Sequence, residues 1–280
     1  MTGQGPPRIV ITGASTGIGR ACALRFADLG YRVLAGVRNA ADGQAIRLER
    51  PDHIQPVLLD VTRAADITEV VTAAGDGRLA GLVNNAGIAV TGPLELVALD
   101  AWREQYEVNV IGLVAVTQAF LPLLRRDRGR IVNIGSIAGR SALPGSAPYD
   151  SSKFAVEGIT DALRMEVHAS GIHVSLVEPG SIATPLWQKT HDAAERIERN
   201  ATAGVLACYA RLLANLKGEA ARSAAKAIPA DKVADAVVHA ITAGRPRARY
   251  LVGRDARLWL LLNLLPDRWR DRLILSQLGK

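Results

Sequence analysis

A tyrosine and a lysine four positions apart, Tyr149 and Lys153, are the residues of this sequence best suited to chemistry. On a helix this spacing puts both side chains on one face, about one turn apart. A phenol with its ordinary pKa of about 10 is a poor base at neutral pH, but a nearby ammonium group favours the phenolate and allows proton exchange with an alcohol or carbonyl oxygen. Ser136, thirteen residues before the tyrosine, ends the apolar run 130–135 and could hydrogen-bond the same oxygen. A surface helix could carry the same tyrosine and lysine without any catalytic role. The elements around the pair must therefore show whether it is a catalytic site.

A glycine-rich turn near the N-terminus indicates what could lie beside that pair. Residues 8–12 form a short apolar run, a glycine cluster follows at once, and residues 20–29 have the pattern of an amphipathic helix that stops at Gly30. Glycines let the backbone approach a pyrophosphate, and a helix N-terminus offers unpaired N–H groups and the positive end of the helix dipole. The sequence therefore predicts dinucleotide binding at Gly13, Ser15, Thr16, Gly17, Ile18 and Gly19.

The end of the next apolar run bears on which dinucleotide binds. Residues 31–37 have the pattern of a buried strand, and Arg38 follows directly. An acidic residue at such a position would bond a ribose 2′-hydroxyl, whereas an arginine suits a 2′-phosphate. We therefore predict NADP as the preferred cofactor, with NAD also possible. The alternative is an ordinary surface arginine at a strand end.

Apolar runs and helical patterns alternate along most of the chain, and this alternation predicts the fold class. The remaining runs of strand character are 54–59, 81–83, 130–135, 172–177 and 249–252. Strands that alternate with helices at this spacing are typical of an α/β fold with a parallel, doubly wound sheet and helices on both faces. Ligands of such sheets bind at the C-terminal ends of the strands.

Three polar features follow or lie between these runs, and each allows two interpretations. Asp60, after the third run, could meet the adenine edge of a cofactor or cap the next helix. The small residues 84–87 could let a ligand approach or form an ordinary turn. Asn109 lies in the apolar helical stretch 99–124 and needs hydrogen-bond partners. It is either a structural amide or a group that holds a water near Lys153.

Taken together, these residues resemble the short-chain dehydrogenases/reductases. The resemblance covers about residues 8–185, with the motifs in the expected order. The matching positions are Thr12, Gly13, Gly17, Ile18, Gly19, Asp60, Asn84, Asn85, Ala86, Gly87, Asn109, Ser136, Tyr149, Lys153, Pro179, Gly180 and Thr184.

The resemblance implies a role for four of the matching residues in the chemistry itself. Tyr149 would be the acid or base, Lys153 would lower its pKa and hold the ribose, Ser136 would orient the substrate oxygen, and Asn109 would position a proton-relay water. Thr16 departs from the pattern, because many NADP-preferring members have a basic residue there, so the NADP prediction depends on Arg38 alone. Further cofactor contacts are expected at Asp60, Val61, Asn84, Ala86, Gly87, Pro179, Gly180, Ile182 and Thr184.

We therefore expect a single Rossmann-like domain of about seven strands at residues 8–255, after a flexible N-terminus at 1–7. A largely apolar substrate lid is expected at about 186–228, and a helical extension at 256–280. The lid prediction depends on Trp187, Leu206, Tyr209, Leu212 and Leu213.

The predicted activity is hydride transfer between NADP(H) and a secondary alcohol or ketone. The protein would be an alcohol dehydrogenase in one direction and a carbonyl reductase in the other. An apolar steroid-, retinoid- or lipid-like substrate is expected from the lid and the tail. The alternative is a non-catalytic dinucleotide-binding sensor. A homodimer or homotetramer is expected.

Composition excludes several other classes. The two cysteines make no disulfide framework, and the N-terminus has no apolar signal core, so we expect a cytoplasmic protein. The five histidines lack metal-ligand spacing, and no metal is predicted. Nothing resembles a nucleic-acid-binding module.

The net charge of +7 is concentrated at the C-terminus. Residues 245–280 contain nine basic and three acidic residues, a balance of +6, which leaves +1 for the rest. Such a tail could cover the substrate site, pair with another subunit or contact a membrane surface, although a solvated polar face is the simpler expectation.

Overall fold

The computed structural model describes residues 5–184 and 202–277. Its centre is a seven-stranded sheet in which every pair of neighbouring strands is parallel, in the order β3-β2-β1-β4-β5-β6-β7. The strands are β1 (Arg8–Ile11), β2 (Arg32–Val37), β3 (Ile54–Leu58), β4 (Leu79–Asn84), β5 (Arg130–Ile134), β6 (His173–Pro179) and β7 (Arg249–Val252).

Helices connect the strands, as parallel pairing requires. After each strand the chain must cross back to the edge of the sheet where that strand began before the next strand can start. The order reverses at β1, where the chain moves from β3 to β4 on the opposite side. The helices are α1 (Gly17–Asp28), α2 (Ala40–Glu49), α3 (Ala64–Ala74), α4 (Leu99–Tyr106), α5 (Gly112–Asp127), α6 (Ala147–Glu166), α7 (Ala203–Lys226), α8 (Asp231–Thr242), α9 (Arg254–Leu262) and α10 (Asp267–Gln277).

The core lies on both faces of the sheet, which explains why the strands read as continuous apolar runs. Alternate residues of a strand point to opposite faces. In β1, Ile9 and Ile11 join one buried cluster with Phe26 of α1 and Val237 of α8. Val10 joins the other cluster, with helices α3 and α5. The predicted doubly wound α/β sheet of about seven strands is confirmed.

The predicted helical stretch 99–124 is confirmed and extends to Asp127, but it is not a regular α-helix throughout. A π-helical turn, Glu107–Ile111, separates α4 from α5 and contains Asn109. The whole stretch Leu99–Asp127 is long and apolar enough to cross a membrane by length and composition. Its apolar residues Val116, Phe120 and Leu124 are fully buried in the core, which accounts for that composition.

Two other boundaries differ from the expectations. Helix α1 begins at Gly17, inside the glycine cluster, and not at Arg20. Strand β4 begins at Leu79, before the predicted run, and extends to Asn84. The earlier start of α1 and the extension of β4 to Asn84 both lie at the C-terminal edge of the sheet, whereas the earlier start of β4 lies at the opposite edge.

The predicted lid is described only in part. Trp187 lies outside the described residues, as do 185–201 as a whole. Helix α7 carries Leu206, Leu212, the buried Leu213 and Tyr209. The Tyr209 hydroxyl donates a hydrogen bond of 2.9 Å to Glu95, which precedes α4. Closure by this segment stays a prediction.

Candidate active site

The glycine turn between β1 and α1 is shaped so that only glycine suits it. Gly13 and Gly17 have φ of +65° and +54°, which residues with a Cβ rarely adopt. At Gly19 a Cβ would overlap the Gly13 carbonyl and the Asn85 amide. The turn is therefore closed tightly on itself, and its backbone can come close to a ligand.

The start of α1 is open to an anion. Thr16 is the N-cap, yet among the described residues its side chain makes no capping bond, and the first turn of α1 contains no acidic residue. The first N–H groups of the helix therefore remain available, at the positive end of the helix dipole. Ser15, Thr16, Gly17, Ile18 and Gly19 thus surround a site that fits the pyrophosphate of a dinucleotide.

Thr12 and Asn85 hold this turn against the end of β4. The Asn85 Nδ2 donates hydrogen bonds of 2.9 Å to the carbonyl oxygens of Thr12 and Gly13. The Thr12 Oγ1 accepts from the backbone N–H groups of Asn85 and Ala86, both at 2.9 Å. Neither Thr12 nor Asn85 was predicted as a site residue. The sequence offered two signals: both residues belong to motifs that resemble the family, and each directly follows a strand, β1 or β4.

Asn84 points away from the cleft and into the core. Its Nδ2 donates to Thr117 Oγ1 and Asn133 Oδ1, both at 2.9 Å. Asn133 donates in turn to Thr160 Oγ1 at 2.9 Å. A contact between Asn84 and a cofactor would therefore have to come from its backbone. Ala86 and Gly87, by contrast, lie on the partly exposed loop after β4.

Ser136, Tyr149 and Lys153 come together at the C-terminal end of β5. Ser136 follows that strand and begins a 3-10 turn, where its Oγ accepts from the Ala138 N–H at 3.1 Å. Tyr149 and Lys153 lie on the first turns of α6. The Lys153 ammonium lies 5.8 Å from the centre of the Tyr149 ring and donates a 2.8 Å hydrogen bond to the Ile134 carbonyl.

Burial dominates the acid–base properties of this trio. It raises the pKa of Tyr149 to about 12, against the opposing hydrogen bond with Ser136, and the neighbouring Asp150 adds to the rise. Burial also lowers the pKa of Lys153 to about 8. In the chain alone the pKa of Tyr149 is therefore raised and not lowered, because loss of hydration outweighs the hydrogen bond with Ser136.

Asn109 lies in the π-helical turn and its amide is fully used by the protein. The Oδ1 accepts from the Ile88 N–H at 2.8 Å, and the Nδ2 donates to the Ile88 carbonyl at 3.0 Å and to Ser152 Oγ at 3.2 Å. Gln105, one turn earlier, also bonds the Ile88 carbonyl and Ser152. These contacts fix the loop after β4 against α6. The structure gives the Asn109 side chain this structural role, and a water held near Lys153 stays a prediction.

Arg38 and Asp60 lie at the ends of β2 and β3, where the adenosine part of a dinucleotide is expected. Asp60 accepts from the Thr62 N–H at 3.0 Å and from its hydroxyl at 2.7 Å. Although burial opposes it, these bonds and the charge of Arg38 lower the pKa of Asp60. Asp60 does not cap α3, because the N-cap is Arg63. Val61 is buried beside Gly112.

The loop after β6, expected to meet the nicotinamide, is held by a residue that sequence reasoning missed. Pro179 ends β6, and Gly180 has no room for a Cβ because the Asp255 carboxylate occupies that space. The same carboxylate accepts a 2.6 Å hydrogen bond from the Ser181 N–H. Ile182 is buried and forms a parallel bridge with Ile228, and Thr184 is the last residue described before the gap.

A cluster of charged residues lies behind the catalytic loop and was also missed. Arg140, in the loop after Ser136, approaches the buried Glu178 at 2.7 Å. Arg249 of β7 bonds Glu157 at 2.7 Å and Asp161 at 2.8 Å, both on the helix that carries Tyr149 and Lys153. Burial and the neighbouring Glu157 raise the pKa of Glu178 to about 7. These charged residues are far apart in the sequence, so no local sequence pattern could have predicted the cluster.

The residues present therefore fit a nicotinamide dinucleotide, with a phosphate cradle at one end and a proton-exchanging trio at the other. Within the described ranges, no group of three or more metal-ligating side chains is found.

Comparison with curated proteins gives relatives that align with nearly the whole chain. Bovine 17-beta-hydroxysteroid dehydrogenase type 6 is 36% identical and mouse retinol dehydrogenase 5 is 35% identical, each over 95% of this chain and 87% of its own length. The NADPH-dependent 3-dehydrocapnine reductase of Ornithobacterium rhinotracheale is 34% identical, over 97% of both chains.

Solved structures show the same architecture. A short-chain dehydrogenase/reductase from Burkholderia phymatum, in complex with NAD, has a TM-score of 0.77 at 25% identity and covers 94% of each chain. One from Burkholderia cenocepacia, in complex with NADP, has a TM-score of 0.73 at 25% identity and covers 99% of this chain and 98% of its own. Residues 7–195 also match the family model described as short chain dehydrogenase. By sequence and by fold, this chain belongs to the short-chain dehydrogenase/reductase family.

Proposed function

We propose that this protein is an NADP-preferring oxidoreductase that moves a hydride between the nicotinamide and the carbon of an apolar secondary alcohol or ketone. The observation that carries the proposal is the convergence of Ser136, Tyr149 and Lys153 at the C-terminal edge of the sheet, the edge at which the glycine turn also lies. Family membership supports the oxidoreductase class, because hydride transfer is what the matched relatives' names describe.

The chain's own part in the reaction is the handling of the substrate oxygen and its proton. In the reductive direction Ser136 and Tyr149 would donate hydrogen bonds to the carbonyl oxygen. The raised pKa of Tyr149 keeps the phenol protonated at neutral pH and ready to donate. As the oxygen becomes an alkoxide, Tyr149 transfers its proton. The bound nicotinamide would supply the hydride to the carbon.

Lys153 would stabilise the phenolate that remains. The Lys153 ammonium donates a 2.8 Å hydrogen bond to the Ile134 carbonyl, which holds it in place. Lys153 and Tyr149 lie on the same face of α6. A fixed positive charge close to a developing negative charge stabilises it without reorganisation. In the oxidative direction the same charge would help Tyr149 to accept the alcohol proton.

The mechanism is tested by Tyr149→Phe, which removes the exchangeable proton and keeps the ring. NADPH oxidation would be followed against a panel of apolar and small polar ketones. We expect kcat to fall by about 10²- to 10⁴-fold, the usual contribution of general acid–base catalysis, with cofactor affinity nearly unchanged. Tyr31→Phe, which alters a tyrosine packed on Phe26, is the matched control. Unchanged turnover in Tyr149→Phe would overturn the mechanism.

The NADP preference is supported by Arg38, which is exposed at the end of β2 and close enough to Asp60 to lower its pKa. It is also supported by the name of the NADPH-dependent relative. A guanidinium can bond a 2′-phosphate with two parallel hydrogen bonds. This phosphate would also offset the exposed positive charge.

Arg38→Asp tests the preference. We expect the ratio of kcat/KM for NADPH over NADH to fall about ten- to a hundredfold, since charge-assisted bonds contribute about 1.5–3 kcal/mol. Arg32→Asp, at the opposite end of the same strand, should leave the ratio unchanged. An equal ratio in wild type and Arg38→Asp would exclude the assigned role.

The apolar substrate class is supported by two relatives, whose names refer to a hydroxysteroid and to retinol. Helix α7 is consistent with it, because Leu206 and Leu212 lie on a largely apolar stretch ahead of the buried Leu213. We expect kcat/KM to rise with the apolar area of the ketone across the panel. Equal or better turnover of small polar ketones would contradict this part of the proposal.

A further inference from the structure

The last two helices form what we call the C-terminal hairpin, residues 254–277, which comprises α9 and α10. It is attached to both loops that flank the candidate active site. Asp255 accepts a 2.6 Å hydrogen bond from Ser181 in the loop after β6. Asn263 donates a 2.7 Å hydrogen bond to the carbonyl of Arg140 in the loop after β5. The hairpin is therefore a fixed neighbour of the site.

The outer surface of the hairpin is unusually apolar. Of residues 254–276, whose burial is described, only Ala256 and Ile274 are buried, whereas Leu264 is 80% exposed and Trp269 65% exposed. Large apolar side chains that scatter singly over a surface are ordinary, but a concentration of them marks an interaction site. The hairpin's large exposed apolar side chains are Leu258, Leu261, Leu264, Trp269, Leu273 and Leu275.

Their spacing places them on continuous faces. Leu258 and Leu261 are three residues apart on α9, and Trp269 and Leu273 are four apart on α10, so each pair shares one side of its helix. Leu264 lies in the turn between the helices. This pattern buries little inside the protein and presents two short apolar ridges to the outside.

Uncompensated positive charge borders these ridges. Four arginines of the hairpin are exposed: Arg254, Arg257, Arg268 and Arg272. Within 5–184 and 202–277, none of the four has an ion-pair partner, whereas Arg270 pairs with Asp267 at 2.9 Å. Apolar side chains flanked by free arginines, with a tryptophan among them, are the composition of helices that lie in the headgroup region of an anionic bilayer.

We propose that the C-terminal hairpin docks on an anionic lipid bilayer, with its leucines and Trp269 in the headgroup boundary and its arginines against lipid phosphates. A second copy of this chain is the less suitable occupant, because a two-fold contact would bring the same arginines together and like charges repel. The bilayer supplies both the apolar layer and the opposite charge. If the proposed function also holds, docking would place the active-site loops next to membrane-dissolved substrate.

The test is co-sedimentation of the full-length protein with vesicles. One vesicle contains phosphatidylcholine alone, and the other contains equal parts of phosphatidylcholine and phosphatidylglycerol. We expect binding to the mixed vesicle, and weaker binding when salt is raised or the anionic lipid is left out. The double variant Leu261→Ser with Trp269→Ser should bind about tenfold or more weakly, since each large side chain would lose its transfer into the boundary.

The matched control is the double variant Leu48→Ser with Leu99→Ser, because both side chains are 70% exposed and lie outside the hairpin. Its binding should equal that of wild type. Leu264→Ser, in the exposed turn, serves if the hairpin double variant does not fold. Arg254→Gln with Arg257→Gln should remove most of the salt dependence.

Three results would overturn the proposal. The first is that the wild-type protein fails to sediment with the mixed vesicle, and the second is that the Leu48/Leu99 control loses as much vesicle binding as the hairpin variant. The third result is that the hairpin variants lose self-association and keep their vesicle binding. NADPH turnover of a water-soluble ketone is measured in parallel and should not change in any of these variants. Vesicle binding without turnover would contradict the proposed function and leave the docking proposal intact.

Discussion

The two ends of the candidate cofactor site are held in different ways. At the glycine turn, close packing leaves room only for glycine, and the uncharged side chains of Thr12 and Asn85, each directly after a strand, bond the neighbouring backbone. At the nicotinamide end, two side chains of the C-terminal hairpin hold the loops, one a carboxylate and the other a neutral amide. Asp255 lies 74 residues after Ser181, and Asn263 lies 123 residues after Arg140.

This difference has a physical consequence for how each end responds to change. A turn held by backbone geometry fails when a side chain is added, because overlap cannot be relieved without moving the strand and helix. Loops held by long-range ion pairs and hydrogen bonds fail gradually when one partner is removed, because the penalty is that of one unpaired group. Substitutions at the two ends can therefore separate the two kinds of support.

Among the substitutions that compare the two ends, the largest effect is expected from Gly19→Ala at the glycine turn. The added methyl group would overlap the Gly13 carbonyl and the Asn85 amide, so the turn must open. Overpacking of this kind costs about 1–3 kcal/mol or more, and we expect affinity for NADPH to fall about a hundredfold. The measurement is cofactor titration by fluorescence.

Gly158→Ala is the matched control for that substitution. Gly158 lies on α6, where an added Cβ meets nothing within 4 Å, and alanine is the better helix former. Cofactor affinity should stay that of wild type, and the melting temperature should rise slightly. Equal cofactor affinity in Gly19→Ala and Gly158→Ala would show that close packing of the turn does not matter.

An intermediate effect is expected from Asp255→Ala at the nicotinamide end. The substitution leaves the Ser181 N–H without its acceptor and opens space beside Gly180. A hydrogen bond to a charged group contributes about 1.5–3 kcal/mol, so we expect kcat/KM to fall about tenfold, with most of the change in kcat. Steady-state kinetics with a soluble ketone give kcat and KM separately.

Asp255→Asn should restore most of the activity, because its amide oxygen can still accept from Ser181. Asp267→Ala, on the exposed start of α10, should behave as wild type. If Asp255→Asn were as impaired as Asp255→Ala, the carboxylate charge and not the hydrogen bond would be responsible. A loss confined to KM for the cofactor would instead place the role of Asp255 in binding alone.

The same contrast decides what the sequence could predict. The glycine turn, the alternation of strands and helices along the chain and the Tyr149–Lys153 pair depend on local spacing and composition, and the structure has these elements where they were expected. Strand β7, at Arg249–Val252, agrees with its predicted bounds. Local rules suffice there because the strand, the turn and the helix each follow from residues close in sequence, although Asn85 bonds the turn from 73 residues away.

What the sequence could not predict depends on distant contacts. Nothing near Asp255 indicates that its carboxylate fills the space beside Gly180, and Arg249 is an ordinary strand residue until β6 and α6 pack beside it. The π-helical turn at Asn109 is set by bonds to Ile88 and Ser152, which lie on other elements. The inward direction of Asn84 was missed because alternation alone does not say which face a strand's last residue takes.

The smallest effect concerns pH and distinguishes the two ends once more. Glu178 is buried, and Arg140 approaches it as an ion pair without a well-aligned hydrogen bond, so burial and Glu157 raise its pKa from 4.5 to about 7. A carboxyl group with a raised pKa binds its proton more tightly in the folded state than in the unfolded state. The stability that this tighter proton binding contributes is therefore lost as the pH rises from 4.5 to about 7. Asp60, at the adenosine end, has a lowered pKa and stays ionised across that window.

Glu178→Gln replaces the carboxyl group with a neutral amide of the same shape. We expect the melting temperature of wild type to fall relative to Glu178→Gln as pH rises from 4.5 to about 7, by a few degrees at most. A residual slope should remain in the variant, because burial also raises the pKa of Asp150 to about 7. Glu104→Gln, on the exposed face of α4, should follow wild type. Parallel melting curves for wild type and Glu178→Gln would mean that the buried cluster does not titrate, and the nicotinamide end would then be no more sensitive to pH than the glycine turn.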